Sequence, residues 1–293
     1  MLDVEALRSG DRRTLAKTLS AIENGTISTR DVSAAFDSIG NGRVWAITGS
    51  PGVGKSCLSE HIIAGWLASG KRVAVLAVDP SSPVSGGALL GDRTRVSSAD
   101  EGEAVYYRSL ATRGNPSAVP SRLGTMVGLL KAAGFDFILI ETVGAGQGEI
   151  SVAAVCDLLL LVEAPGLGDE LQLEKAGLIE LADAIAVNKC DLAGAKTLRS
   201  RLRGALELSD GQAPPVALVS AKNGEGISEL LGMLDSAVSS PSRRAAKNRI
   251  RLQFEWQRLL LESPLLDSVL ESVESGEIDL DSALVMLRGG DAP

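Results

Sequence analysis

Short apolar runs recur along the chain from Arg43 onward, and they restrict its fold more than any other feature. "RVWAIT" (43–48), "RVAVLAV" (72–78), "FDFILIE" (135–141), "DLLLLVE" (157–163), "DAIAVNK" (183–189) and "PVALVS" (215–220) are β-branched or Leu-rich and too short for most helices. Each reads as a buried strand. The intervening segments 54–69, 117–133, 169–181, 195–208 and 226–238 are each long enough for a helix. Strands buried on both faces and alternating with helices imply an α/β fold, a mostly parallel, doubly wound sheet with helices on both faces.

Residues 1–40 contain no strand candidate. Leu7, Leu15, Leu19 and Ile22 fall at helical spacing, and Gly25 closes the pattern as a C-cap. Beyond Pro241 the chain turns helical again, with Leu259, Leu260, Leu265, Leu266 and Leu270 clustered. That is more apolar surface than a lone tail should expose. The expected organisation is an N-terminal helical extension (1–40), a nucleotide-binding domain (41–240) and a C-terminal helical dimerisation extension (241–293). A homodimer follows from the last.

Aromatic residues make up only 3% of the 293, so the core must be built from Ala, Val, Leu and Ile. A net charge of −8 argues against nucleic acid and anionic membrane as partners. The basic segment 242–251 reads as the solvated face of a helix. Cys57, Cys156 and Cys190 are scattered, which fits free thiols in a reducing compartment. The opening "MLDVEALRSGDRR" lacks an apolar leader, and no apolar run approaches the ~18 residues of a membrane span. A cytoplasmic protein is expected.

"GSPGVGKSC" (49–57) follows the first strand and opens a helix, the context that a phosphate-binding loop requires. Gly49, Ser50, Pro51, Gly52, Val53, Gly54, Lys55, Ser56 and Cys57 form the candidate loop. Its glycines let backbone N–H groups converge on phosphates at a helix N-terminus. Lys55 would reach the β- and γ-phosphates, and the Ser56 hydroxyl would bind Mg²⁺.

Which nucleotide binds is answered by "NKCD" (188–191) and "SAK" (220–222), both at strand ends. The Asp191 carboxylate can accept from the ring N1–H and exocyclic amine of guanine, a pattern adenine lacks. Lys189 would lie along the base beside Asn188. The Ala221 N–H, between Ser220 and Lys222, would face the base oxygen. GTP is expected.

Nucleotides in such sheets bind at the carboxyl ends of the strands. Asp136 begins its strand, whereas Glu141 ends one and becomes the Mg²⁺-side carboxylate, with the Gly144 N–H available to the γ-phosphate. Asp79 and Asp92 lie on "VDPSSPVSGGALLGDRTR" (78–95), a stretch that could order around Mg²⁺ and phosphate. The alternative for Asp79 is an Asx cap, and for Asp92 a helix cap. Gln147 either orients the attacking water or is a polar residue of a switch loop. His61, the single histidine, reads as a packed helix residue rather than a base or ligand.

These motifs, together with "VAVLAVDPSSPVSGGALLGDRTR", "AAGFDFILIETVGAGQGE", "GDELQLEKAG" and "ADAIAVNKCDL", resemble the cobalamin-mutase-associated GTPases of the MeaB/ArgK family. The resemblance is strong over about residues 43–235. It implies a homodimeric GTPase that gates cofactor loading and protects or reactivates an adenosylcobalamin-dependent acyl-CoA mutase such as methylmalonyl-CoA mutase. It also implies that Asp79, Asp92 and Glu141 serve the Mg²⁺ and switch sites, and that 163–175 is a partner-sensing loop with Lys175 as its signalling residue. Cys57 departs from the usual Thr, and "RGNPSAVPSRLG" (113–124) replaces a more Ser/Gly-rich segment.

Three other functions compete. A metallochaperone GTPase needs thiolate or imidazole ligands at binding spacing, which one His and three scattered Cys do not supply. An ATPase or kinase linked to amino-acid transport conflicts with N-K-x-D and SAK. A non-hydrolysing module conflicts with intact Lys55, Ser56 and Glu141.

Overall fold

The computed structural model describes residues 2–36, 40–79, 104–112, 119–142, 148–166, 173–207 and 213–288. Among these, seven strands form one sheet: β1 (Arg43–Thr48), β2 (Val73–Asp79), β3 (Val105–Ala111), β4 (Phe137–Thr142), β5 (Leu158–Glu163), β6 (Ala184–Val187) and β7 (Val216–Leu218). All pairings are parallel and the order is β3-β2-β4-β1-β5-β6-β7. The order reverses at β1, so the loop leaving β1 sits where the chain winds away in both directions. That is where open α/β sheets bind ligands.

The six anticipated strands lie within a residue or two of the expected bounds, apart from the shorter β6 and β7. β3 was not anticipated, because "VYYRSLA" breaks the apolar pattern with Arg108 and Ser109. Its place at the sheet edge tolerates that break. The Arg108 guanidinium donates to Glu23 Oε2 at 2.7 Å and Ser20 Oγ at 3.1 Å, which ties the edge strand to the helix above it.

That helix is α2 (Arg12–Glu23), preceded by α1 (Val4–Ser9) and followed by α3 (Thr29–Ala35). The expected single N-terminal helix is split at Gly10, whose φ of +85° ends α1, and Asp11 then caps α2 through the Thr14 N–H at 2.7 Å. Leu7, Leu15, Leu19 and Ile22 are all buried with the sheet's own residues. The N-terminal helices therefore complete the core on one face.

The same face carries α5 (Leu123–Ala132), α7 (Leu173–Leu181) and α8 (Ala195–Glu207). The other carries α4 (Lys55–Ala68) and α9 (Ile227–Ser236), packed through Leu58, Ile62, Trp66, Leu230 and Leu234. A short α6 (Gly148–Ser151) runs into a 3-10 turn, Val152–Ala154. At the C-terminus come α10 (Pro241–Leu261), α11 (Leu266–Glu274) and α12 (Leu280–Leu287).

The basic segment 242–251 forms the first half of α10, and it is not merely a solvated face. Lys247 is buried against Asp183, and its ammonium also donates to the Asp157 carbonyl at 3.0 Å. Arg251 donates to the Ala154 carbonyl at 2.8 Å. Among the described residues no helix is long and apolar enough to cross a membrane.

Candidate functional site: the carboxyl edge of the sheet

The loop from β1 to α4 follows a glycine-dependent path. Gly49 has φ +142°, and a Cβ there would lie 2.1 Å from the Val162 carbonyl oxygen on neighbouring β5. Gly54 has φ +94°, and a Cβ would meet Asn188 Nδ2 at 2.4 Å. Only glycine allows both turns and both close approaches. Gly54 caps α4 without any side-chain hydrogen bond, so the first N–H groups of a 14-residue helix remain available to an anion.

Lys55 is buried, and its ammonium folds back to donate to the Gly49 carbonyl at 2.6 Å and the Ser50 carbonyl at 3.2 Å. Burial depresses its pKa below the ordinary lysine value, while the carboxylates of Glu149, Glu141 and Glu163 oppose that shift. Ser56 and Cys57 are exposed in the first turn.

Two carboxylates close the floor. Glu141 sits at the end of β4, in register with Ile47 of β1 and Ala77 of β2. Asp79 is the last residue of β2 and belongs to the strand rather than to a loop. Strand alternation puts Ala77, Asp79 and Glu141 on the face that bears α4, and both acids are buried. Asp136 lies at the opposite edge, where it accepts the Arg72 N–H at 2.9 Å.

Guanine-loop candidates are braced to the phosphate loop. Asn188 is buried and donates from Nδ2 to the Val53 carbonyl at 2.8 Å, while its Oδ1 accepts the Ala221 N–H at 3.0 Å. Lys189 has φ +57°, the sole positive φ outside glycine among the described residues, and its ammonium donates to the Gly52 carbonyl at 2.7 Å. An uncommon backbone conformation of this kind concentrates at functional sites. Asp191 is exposed, and its Oδ1 accepts the Ser220 hydroxyl at 2.7 Å. That hydroxyl is the largest of the causes holding its carboxyl below the usual range. Lys222 is exposed beside it.

The Ala221 N–H, expected from the sequence to face a base, is thus spent on Asn188. His61, read from the sequence as a packed helix residue, is half-buried on α4, and its Nε2 lies 2.7 Å from the Ala221 carbonyl oxygen. No sequence signal marks it, because the contact joins residues 160 positions apart. Asp92, Gly144 and Gln147 lie outside the described residues, as do 167–172 and the side chain of Lys175.

This arrangement matches a known group. Residues 15–274 match the family described as methylmalonyl-CoA mutase-associated GTPase MeaB. The chain belongs to the MeaB family. GTPase ArgK of Escherichia coli is a MeaB-like relative, 34% identical over 278 residues, which cover 90% of this chain and 84% of ArgK. The mouse methylmalonic aciduria type A homolog, a mitochondrial protein, is 40% identical over 191 residues, covering 63% of this chain and 46% of its own. A crystal structure of an LAO/AO transport system kinase superposes with a TM-score of 0.66 at 26% identity, covering 98% of this chain and 95% of that one. As a MeaB-family member this chain is a P-loop GTPase that binds guanine nucleotide and hydrolyses GTP.

Proposed function

We propose that this GTPase is a cytoplasmic, homodimeric chaperone of an adenosylcobalamin-dependent acyl-CoA mutase such as methylmalonyl-CoA mutase, gating cofactor loading and protecting or reactivating the enzyme. The family match over 15–274 carries this reading, because the family is described by its association with that mutase.

In this reading the backbone N–H groups of the Gly49 to Ser56 loop, a donor that Pro51 lacks, bind the phosphates. Lys55 exchanges its two carbonyl partners for the β- and γ-phosphates, which suits an ammonium held ready in a buried loop. Asn188 and Lys189 hold the loops in register, Asp191 reads the 2-amino side of guanine, and the 220–222 loop reads the 6-oxo side. Gly144, Gln147 and Asp92 complete the phosphate side as the expected switch residues.

The donor set at the site fits Mg²⁺. Among the described residues no group of three or more His, Cys, Asp or Glu side chains forms a metal cage. Mg²⁺ needs no such cage, since it takes one or two protein oxygens along with phosphates and water. The Ser56 hydroxyl would hold it, with Asp79, Glu141 and Asp92 on its outer side. Bound there, Mg²⁺ would neutralise charge on the phosphates during transfer. The carboxylates of Glu149, Glu141 and Glu163 meanwhile favour the charged form of the Lys55 ammonium.

Residues 163–175 leave the carboxyl end of β5 beside the nucleotide loop and enter the first turn of α7. A segment at that position can differ between GTP and GDP states and report the difference to a partner. The test is the GTP hydrolysis rate with and without the mutase, for wild type and Lys175→Ala. The variant is expected to keep GTP affinity within about threefold but to lose most of the stimulation by the mutase. Equal stimulation of both proteins would remove this loop from the mechanism. No stimulation of wild type by any acyl-CoA mutase would remove the mutase.

A further inference from the structure

Loop 220–222 follows a strand of three residues at the edge of the sheet, paired among the described residues with β6. Ser220 is secured by its bridge to Glu225 and its hydroxyl bond to Asp191. The next peptide group, which joins the Ala221 carbonyl to the Lys222 N–H, has a different anchor.

That anchor is His61 on α4. A carbonyl oxygen only accepts, so the Nε2 atom 2.7 Å away carries the proton and donates it. The peptide unit is planar and trans, so fixing the Ala221 carbonyl also fixes the Lys222 N–H, which points the opposite way. Asn188 holds the preceding peptide from the other side, through the Ala221 N–H, and continues to Val53. The loop is therefore clamped between the phosphate loop and the helix that the phosphate loop begins.

We infer that His61 is a positioning residue for purine recognition: by donating to the Ala221 carbonyl it fixes the 221–222 peptide, whose outward N–H selects a 6-oxo over a 6-amino group. This rests on the guanine reading of 188–191 and 220–222 proposed above. Asp191 serves the 2-amino group through a separate loop, so the two contributions are separable with nucleotides. GDP and IDP share the 6-oxo group and differ at position 2, whereas ADP carries the 6-amino group.

The experiment is calorimetric titration of the full chain with GDP, IDP and ADP, for wild type, His61→Met and His61→Gln. Met fills the space without a donor, and Gln restores an N–H at similar reach. His61→Met is expected to weaken GDP and IDP by the same factor, about three- to tenfold, the worth of one neutral hydrogen bond. Its GDP-to-IDP ratio should stay at the wild-type value, ADP should hardly change, and His61→Gln should stay within about twofold of wild type. Unchanged GDP and IDP affinities in His61→Met would overturn the inference. So would a His61→Gln variant that falls as far as the Met variant, since ring shape rather than the donated proton would then matter. Wild type that fails to distinguish GDP from ADP would remove instead the guanine reading beneath it. The imidazole ¹⁵N spectrum of GDP-bound wild type needs no substitution and has a single histidine to report. A proton on Nε2 supports the clamp, and a neutral ring protonated only on Nδ1 excludes it.

Discussion

Asn188 and Asp191 stand three positions apart in one motif and have opposite physical characters. Asn188 is buried, with both ends of its amide bonded to backbone, so its replacement should be felt before any nucleotide arrives. Asn188→Ala leaves the Val53 carbonyl and Ala221 N–H without their partner, and we expect a loss of roughly 1–3 kcal/mol in urea unfolding of the nucleotide-free protein. Asp191 is exposed and its carboxylate accepts the Ser220 hydroxyl, so Asp191→Asn, which keeps an acceptor there, should leave unfolding nearly unchanged. Its effect belongs to recognition: guanine binding should fall by roughly 30-fold or more, with preference moving toward xanthine nucleotides, because an amide donates where guanine also donates. Competition binding with GDP and XDP checks this. The cysteines divide in the same way. Cys57 is exposed, whereas burial pushes the Cys156 thiol up to about 12. At pH 8 a thiol reagent should modify Cys57 in the folded protein and reach Cys156 only on unfolding.

Among the elements, α10 shows how a segment that reads as an appendage is built into the domain. Its Lys247 crosses to Asp183, at the start of β6, and both side chains are almost completely buried. The Asp183 carboxylate also accepts the Leu159 N–H at 2.8 Å, so the pair joins α10 to both β5 and β6. Lys247→Met removes the ammonium bonded to this buried carboxylate and leaves Arg243 as its nearby cation, which should cost up to about 3–5 kcal/mol in chemical denaturation. Adding Asp183→Asn removes the buried negative charge while keeping an acceptor for Leu159, and should recover most of that loss. If the double variant is no more stable than Lys247→Met, the pair is not what holds α10. Edge strand β3 follows similar logic, since the arginine that hides it from a pattern search is the residue that binds it to α2.

At the scale of the whole molecule, the outer face of the C-terminal helices leaves several large apolar side chains exposed among the described residues. Leu252 is 73% exposed and Leu259 55%, and with Trp256 between them they form one stripe on α10. Leu280, 70% exposed, and Leu284 extend the apolar surface onto α12. We expect this surface to form the homodimer contact. Leu252→Glu with Leu259→Glu should give a monomer by light scattering at micromolar concentration with little change in thermal stability, because neither side chain is buried in the protomer. These substitutions test dimerisation better than deleting everything after Ser240, which would also remove the buried Lys247 and Phe254 and the Arg251 bond to the Ala154 carbonyl. A wild-type monomer would reject the dimer outright.

Reading the chain alone was enough wherever a local pattern has one physical solution. Runs such as "VAVLAV" can only be buried strands in this setting, and G-x-x-x-x-G-K-S between a strand and a helix needs backbone turns that glycine alone provides. The parallel sheet and its nucleotide edge follow from those local constraints, whereas the family was read from the resemblance of longer stretches such as "VAVLAVDPSSPVSGGALLGDRTR". Tertiary structure decided whatever depends on residues distant in sequence. It made "VYYRSLA" a strand by supplying Glu23 and Ser20 to Arg108, and it buried Lys247 by placing Asp183 opposite. It also turned a lone histidine into the clamp on Ala221. A polar side chain in sequence carries no mark of the partner that will satisfy it, because burial and hydrogen bonding are set only when the layers close.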